Sequence, residues 1–565
     1  MGGGHAVADA PDANQDPAAV AVGRVWPMPR EYQVGSGVLV LTSDFRLNCR
    51  LTGGQTGVGN QQRETSDLLL RACERYQRQL TLADGQLPEA PAAHAAAANS
   101  SIIDGQLVGL QLDEDTDESY QLAVDVASAQ LTATSVFGAL RGLETFLQLV
   151  QLANAVAQRR YLSGVPLRIS DRPAFAHRGL MLDTARTYFP VADILRQLDA
   201  MASTKLNVFH WHIVDAQSFP LASEALPELS EKGAYAPDLV YTRQDVDRVV
   251  QYARDRGIRV IPEFDTPGHA YAWGLAYPEL SVCMHTAPDK VGQFAAEPPA
   301  GQLDPTKEAT MKLVETLISE QAVWFPDRYI HLGGDEVNAA CYEQDPHVAA
   351  YLRQHSLTVP KLIERYGRQM HDIARRSGKR VVTWEEMLLE YDFAVDPIST
   401  LVQVWRGASS VRKVVQRGRR AITSPADHWY LDCGQGAWVN THSGGDSWCD
   451  PYKTWQHMYT YDPLAGLADT GNTDTSHPAV AGGEVTMWTE KTDTVNLDIK
   501  VWPRAAAAAE VLWSGRRDVS GRERTTHAAH PRIHRFRRRL LALGLRPDMV
   551  NMLWCEKNPA GCEAA

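Results

Sequence analysis

Beyond Asp171-Arg172-Pro173 the chain keeps a rhythm that few folds can satisfy: short apolar runs alternate with stretches of helical periodicity. Eight such runs are read as strands: His177–Asp183, Leu206–Val214, Ile258–Phe264, Tyr329–Gly333, Arg380–Trp384, Leu401–Trp405, Ala421–Ser424 and Ala481–Trp488. A strand that is apolar on both faces must be covered on both, which parallel sheets achieve with helical crossovers. Helices are predicted over Val191–Lys205, Gln244–Arg256, Thr306–Phe325 and Leu362–Ser377. Basic or glycine helix stops precede three of the strands, at Arg256-Gly257, Ser377-Gly378 and Arg417-Gly418. The expected fold is α/β, a closed (β/α)8 TIM barrel.

With 565 residues the chain exceeds one ordinary domain. Residues 1–22, rich in Ala, Asp and Gly, read as a disordered leader. Residues 23–170 read as a smaller α/β domain. It has strands at Gly35–Thr42 and Tyr120–Val124, a helix at Thr65–Thr81, a surface loop at Pro88–Ser100, and an amphipathic helix at Ser135–Gln151. Residues 171–565 form the barrel domain, with a long insertion at about 430–480, rich in Gly, Asp, Thr and aromatics, and a C-terminal tail.

The net charge of −12 disfavours nucleic acid and anionic membrane as partners. No run of about twenty apolar residues predicts a transmembrane helix. The leader lacks the basic start and apolar core of a signal peptide, so either a signal is absent from this chain or the protein is cytosolic. Eight cysteines and no CxxC pair argue against structural zinc. Nearness in sequence suggests the disulfides Cys49–Cys73, Cys283–Cys341, Cys433–Cys449 and Cys555–Cys562. Disulfides and the sequon Asn99-Ser100-Ser101 point to the secretory pathway.

Polar and aromatic groups gather where the strands end: Asp183 to Arg186, His210 to Asp215, Glu263 to His269, Asp335-Glu336, Trp384-Glu385-Glu386, Trp405-Arg406, Trp429 to Asp432, and Trp488 to Glu490. In a barrel these ends share one mouth, where active sites sit. Tryptophans and carboxylates suit a sugar, since aromatic rings stack on its apolar face and carboxylates take its hydroxyls. Each piece also has a plainer reading. Gly333-Gly334-Asp335-Glu336 could be a tight turn, and His210-x-His212 either packing or the metal ligands of an amidohydrolase barrel. The tryptophans could cap the core.

Together the segments resemble family 20 of the glycoside hydrolases, the β-N-acetylhexosaminidases, in its secreted eukaryotic form. The resemblance rests on Arg178-Gly-Leu-Met-Leu-Asp-Thr-Ala-Arg186, His210-Trp-His-Ile-Val-Asp215, Pro262-Glu-Phe-Asp-Thr-Pro-Gly-His269, His331-Leu-Gly-Gly-Asp-Glu336, Trp384-Glu, Gln403-Val-Trp405, Trp429-Tyr-Leu-Asp432 and Gly482-Gly-Glu-Val-Thr-Met-Trp-Thr-Glu490, in that order. Asp117–Tyr120 and Phe137–Phe146 match its non-catalytic N-terminal domain, an antiparallel sheet plus helices. The resemblance implies exo-hydrolysis of terminal β-linked N-acetylglucosamine or N-acetylgalactosamine with retention, the substrate's acetamido oxygen acting as nucleophile.

It further implies Glu336 as general acid and base with a raised pKa, Asp335 as an ionised stabiliser of the acetamido group, and Tyr430 as the group that aims it. Trp384, Trp405 and Trp488 would box the acetamido methyl and ring. Arg186, Asp432 and Glu490 would hold hydroxyls, and Asp215 with His269 would support Glu336. No metal or cofactor is needed, and the family's frequent dimers imply a homodimer. Cys433 rather than a basic residue follows Asp432, which favours a neutral substrate such as a chitooligosaccharide. The competing readings are a metal-dependent amidohydrolase and a non-catalytic carbohydrate-binding barrel. Transglycosylation by the same site stays open.

Overall fold

The structure is a computed structural model that describes residues 22–49, 59–80, 96–103, 112–152, 160–393, 396, 399–439, 445–467, 477–558 and 562. The leader before residue 22 lies outside them. Packing divides the chain into two compact units, Met1–Val108 with Ser119–Asp171, and Gly109–Glu118 with Arg172–Ala565.

The first unit is built on β1 (Glu31–Cys49), β2 (Ala96–Ile103), β3 (Tyr120–Val124), β4 (Ala129–Ala133), β5 (Gln151–Leu152) and β6 (Arg160–Asp171). They form one sheet in the order β1-β2-β4-β3-β6-β5, antiparallel except for the two pairings made by β2. The helices Gly59–Gln79 and Val136–Leu149 pack on each other and on this sheet. A disulfide joins Cys49 to Cys73.

Two expectations change here. The loop expected over Pro88–Ser100 lies outside the described residues as far as 95, and beyond that is strand β2, because pairing with β1 and β4 overrides a weak local preference. The helix expected to be amphipathic is buried all round. Its polar groups are satisfied internally: Gln148 Nε2 donates to Trp26 O at 2.8 Å and Gln148 Oε1 accepts from Trp26 N at 2.7 Å.

In the second unit eight parallel strands close a barrel: β7 (His177–Asp183), β8 (Val208–Val214), β9 (Arg259–Phe264), then, after a small ribbon of β10 (Ser281–Val282) and β11 (Gln302–Leu303), β12 (Tyr329–His331), β13 (Arg380–Trp384), β14 (Thr400–Val404), β15 (Arg420–Thr423) and β16 (Val480–Met487). The fold is the expected (β/α)8 barrel. Most strand residues are buried on both faces, which is why their sequences read as continuous apolar runs. The crossover helices Val191–Ser203, Arg243–Arg254, Glu308–Trp324 and Val359–Arg376 stand where helical periodicity predicts them.

The barrel closes between β16 and β7, in register from Gly482 opposite His177 to Met487 opposite Leu182. A Cβ on Gly482 would meet the His177 carbonyl oxygen at 1.8 Å, so the seam demands glycine there. Over the same two strands packs the helix Arg504–Ser514, buried throughout, whose run Ala505–Ala509 permits close approach. Arg178 donates to both oxygens of Glu118, at 2.8 and 2.7 Å, which anchors the segment around Glu118 to the barrel.

Candidate active site

The strand ends enclose a cavity of about 320 Å³. After β12 the chain turns through Gly333 and Gly334, at φ +62° and +99°. A Cβ on Gly333 would fall 1.8 Å from Asp265 Oδ1, the atom that accepts from Gly334 N at 2.8 Å. This turn presents Asp335 and Glu336 to the cavity. Glu336 and His269, from the loop after β9, both adopt left-handed backbone, at φ +49° and +48°. Such strain costs about 1–3 kcal/mol per residue and persists only where the surroundings impose it.

Of the eleven candidates, Arg186, His269, Asp335, Glu336, Trp384, Trp405, Tyr430, Asp432, Trp488 and Glu490 line this cavity. Asp215 stands behind the wall. Its Oδ1 lies 3.1 Å from His269 Nδ1, its Oδ2 2.8 Å from Arg186 Nη1, and His269 Nε2 lies 3.2 Å from Glu336 Oε2. The rings form a box: Trp405 and Tyr430 stack at 6.4 Å, and Trp488 lies 6.2 Å from Trp384 and 6.4 Å from Tyr430. Asp335 Oδ1 and Asp432 Oδ1 are buried without a hydrogen-bond partner among the described residues. Unsatisfied buried oxygens in a cavity wall await a donor from a ligand.

Burial and the neighbouring Asp265 carboxyl push Asp335 well above the usual carboxylate range, against the opposing charge of His269. Burial would also raise Glu336, but the hydrogen bond and charge of His269, helped by Arg186, hold it below its ordinary value. The expectation of a raised Glu336 beside an ionised Asp335 is therefore reversed in this structure. The cause is the imidazole: Asp215 and Asp335 raise His269 despite its burial, and the resulting cation stabilises the Glu336 carboxylate.

The family model "Glycosyl hydrolase family 20, catalytic domain" matches residues 175–516, and "beta-acetyl hexosaminidase like" matches residues 25–149. The chain belongs to glycosyl hydrolase family 20. This family 20 enzyme is 34% identical over 568 residues to a chitooligosaccharidolytic beta-N-acetylglucosaminidase of Bombyx mori, across 96% of this chain and 89% of the relative. It is 38% identical over 447 residues to beta-hexosaminidase subunit beta of Homo sapiens, across 78% and 73%. Among solved structures, Flavobacterium johnsoniae chitobiase superposes with a TM-score of 0.74 at 30% identity, covering 92% of this chain and 73% of that one. The enzyme is a β-N-acetylhexosaminidase, a glycosidase of oligosaccharides.

Family membership overturns both competing readings, the amidohydrolase and the non-catalytic barrel. The histidine pair behind the former has both ring nitrogens of each member on carboxylates. Several cavity residues escape sequence reasoning. Glu297 reaches Arg186 from a loop without a pattern. Trp448 lies in the aromatic insertion, 5.7 Å from Trp405. Lys491 and Lys500 also line the cavity, so although Cys433 and not a basic residue follows Asp432, the chain brings cations to the same cavity from beyond the last barrel strand. Their ammonium groups donate to the carbonyls of Gln435, at 2.7 Å, and Lys491, at 2.5 Å.

Proposed function

We propose that the cavity takes the terminal N-acetylated sugar with its acetamido group in the aromatic box, and that Asp335, Glu336 and Tyr430 carry the chemistry. The carrying observation is the unpartnered buried oxygen of Asp335 beside a glutamate held by His269 and Asp215. Glu336 delivers a proton to the glycosidic oxygen as that bond breaks. The acetamido oxygen, aimed by Tyr430, closes on the anomeric carbon to give an oxazolinium ion. Asp335 accepts the acetamido N–H and stabilises the charge. Water then opens the ring while Glu336 recovers its proton, so the configuration is retained.

Substrate binding supplies the protonation states this needs. An N–H donated to Asp335 favours its ionised form, and a sugar covering Glu336, whose side chain is 30% exposed, favours its neutral form. Trp384, Trp405 and Trp488 enclose the acetamido group and ring. Arg186, Asp432 and Glu490 take hydroxyls, and Asp215 with His269 supports the acid.

The natural substrate in this reading is a chitooligosaccharide, the working compartment is the oxidising secretory route or a vacuole, and the enzyme works as a homodimer. All four suggested cysteine pairs are joined, as an oxidising compartment requires. The test sets aryl N-acetylglucosaminide, N-acetylgalactosaminide and plain glucoside side by side, with a thiazoline mimic of the oxazolinium as inhibitor. Turnover of the two acetamido sugars alone and strong inhibition are expected. Hydrolysis of the glucoside overturns the assisted route.

A further inference from the structure

Behind the site, from Asp215 inward, runs a continuous string of buried acids and imidazoles of which the mechanism above uses only Asp215. From Asp215 Oδ2 it passes to His212 Nε2 at 2.8 Å, and from His212 Nδ1 to Glu263 Oε2 at 2.6 Å. His210 then bridges Glu263 Oε2 to Glu484 Oε2, at 2.9 Å on each side. Glu263, on β9, is the hub. Its Oε1 lies 3.1 Å from His331 Nδ1 and accepts from the Trp384 indole nitrogen at 2.7 Å. The carboxylate is fully buried, and its neighbours on both oxygens leave no place for another partner.

The neighbours fix its form. His210 and His212 have carboxylate oxygens at both ring nitrogens, and those acids already take donors from Arg186, Gln403 and Trp384, so each ring serves them as a double donor, an imidazolium. Glu263 therefore has to be an anion. One arm of that anion holds a wall of the aromatic box, and the other, through His212, holds the Asp215–His269–Glu336 string. A shift of about 1 Å at either end costs up to about 10²-fold in rate.

We propose that Glu263 is a positioning residue of the hydrolysis, setting the Trp384 wall and the proton-delivering Glu336 in one fixed relation. This rests on the assignment of Glu336 as general acid. Its test is the dependence of rate on leaving group in Glu263→Gln, which keeps the shape and removes the charge. A poor leaving group needs the delivered proton and a very good one does not. We expect kcat on a p-methoxyphenyl N-acetylglucosaminide to fall at least about tenfold further than on the 2,4-dinitrophenyl analogue, part of the 10²–10⁴-fold that a general acid supplies. KM is expected to rise for both through the freed tryptophan.

Equal fractional losses on both substrates, the signature of fewer folded molecules, would overturn the proposal. His212→Gln interrupts the string and leaves the Trp384–Glu263 bond in place; its ring also packs edge-on against Trp488 at 4.8 Å, so the leaving-group effect, and not KM, is its readout. If Glu263→Gln does not fold, His212→Gln decides. If neither folds, the hub belongs to folding and the proposal is lost. Native enzyme with no leaving-group sensitivity to Glu336→Gln would instead refute the acid assignment itself.

Discussion

Asp335 and Glu336 are adjacent in sequence and share His269 as a neighbour, yet Asp265 and burial prevail at the first and His269 at the second. Their replacements should therefore fail differently. Glu336→Gln should lower kcat by about 10²–10⁴-fold on a poor leaving group while sugar still binds, and lose much less on 2,4-dinitrophenyl substrate. Asp335→Asn should cost about 10²–10³-fold on every leaving group, because charge at the acetamido nitrogen develops whatever departs. Steady-state kinetics on the same two glycosides checks both. At this scale the candidate residues were legible because they cluster at strand ends, where a parallel barrel exposes its chemistry. Glu297, Trp448 and Lys491 were not, since loops carry no period by which to place a side chain, and Lys500 sits on a helix of five residues, too short to show one. The proton balance was misread because it depends on how close His269 comes to Glu336, a distance that no motif encodes.

The turn after β12 is the element on which the pair depends. Gly333 packs against Asp265 and Gly334 against Met387. Gly333→Ala puts a methyl group where Asp265 Oδ1 now sits and forces alanine into left-handed backbone, so the Asp265 to Gly334 bond must break. We expect activity to fall by about 10²-fold, the cost of a displacement near 1 Å, with folding preserved by circular dichroism. Strand existence was easy to read here, because burial on both faces leaves an unbroken apolar run. In the first unit β1 extends well past the stretch that looked like a strand, since sheet neighbours on either half define it rather than its own composition. The helix Val136–Leu149 misled for the opposite reason: its polar side chains look solvent-facing until their internal partners are seen.

For the molecule as a whole, the buried imidazoles and acids link stability to pH. Burial alone would lower His210, but Glu484 and Glu263 raise it to about 9, and His212 is likewise raised well above its ordinary value by Glu263 and Asp215 against its burial. Their stabilisation is complete below about pH 6.5, the value of an unfolded histidine, and fades as pH rises through about 9. The histidines in turn hold Glu263 and Glu484 below the carboxylate range against burial, and that stabilisation is lost on acidification. Melting temperature should therefore be highest between about pH 4.5 and 6.5 and fall from there to about pH 9. Calorimetry across pH 3 to 10 measures this, and a curve flat from 6 to 9 would contradict it.

The seam between β16 and β7 also sets a timetable. Glu484 meets His177 across 307 residues of sequence, which the ribosome needs about 15–60 s to add. Throughout that interval β7 has an open flank, and a chain stopped before Val480 keeps it for good. Such fragments would offer bare strand edges to one another, so premature termination late in the message should yield aggregates, not a weakened enzyme.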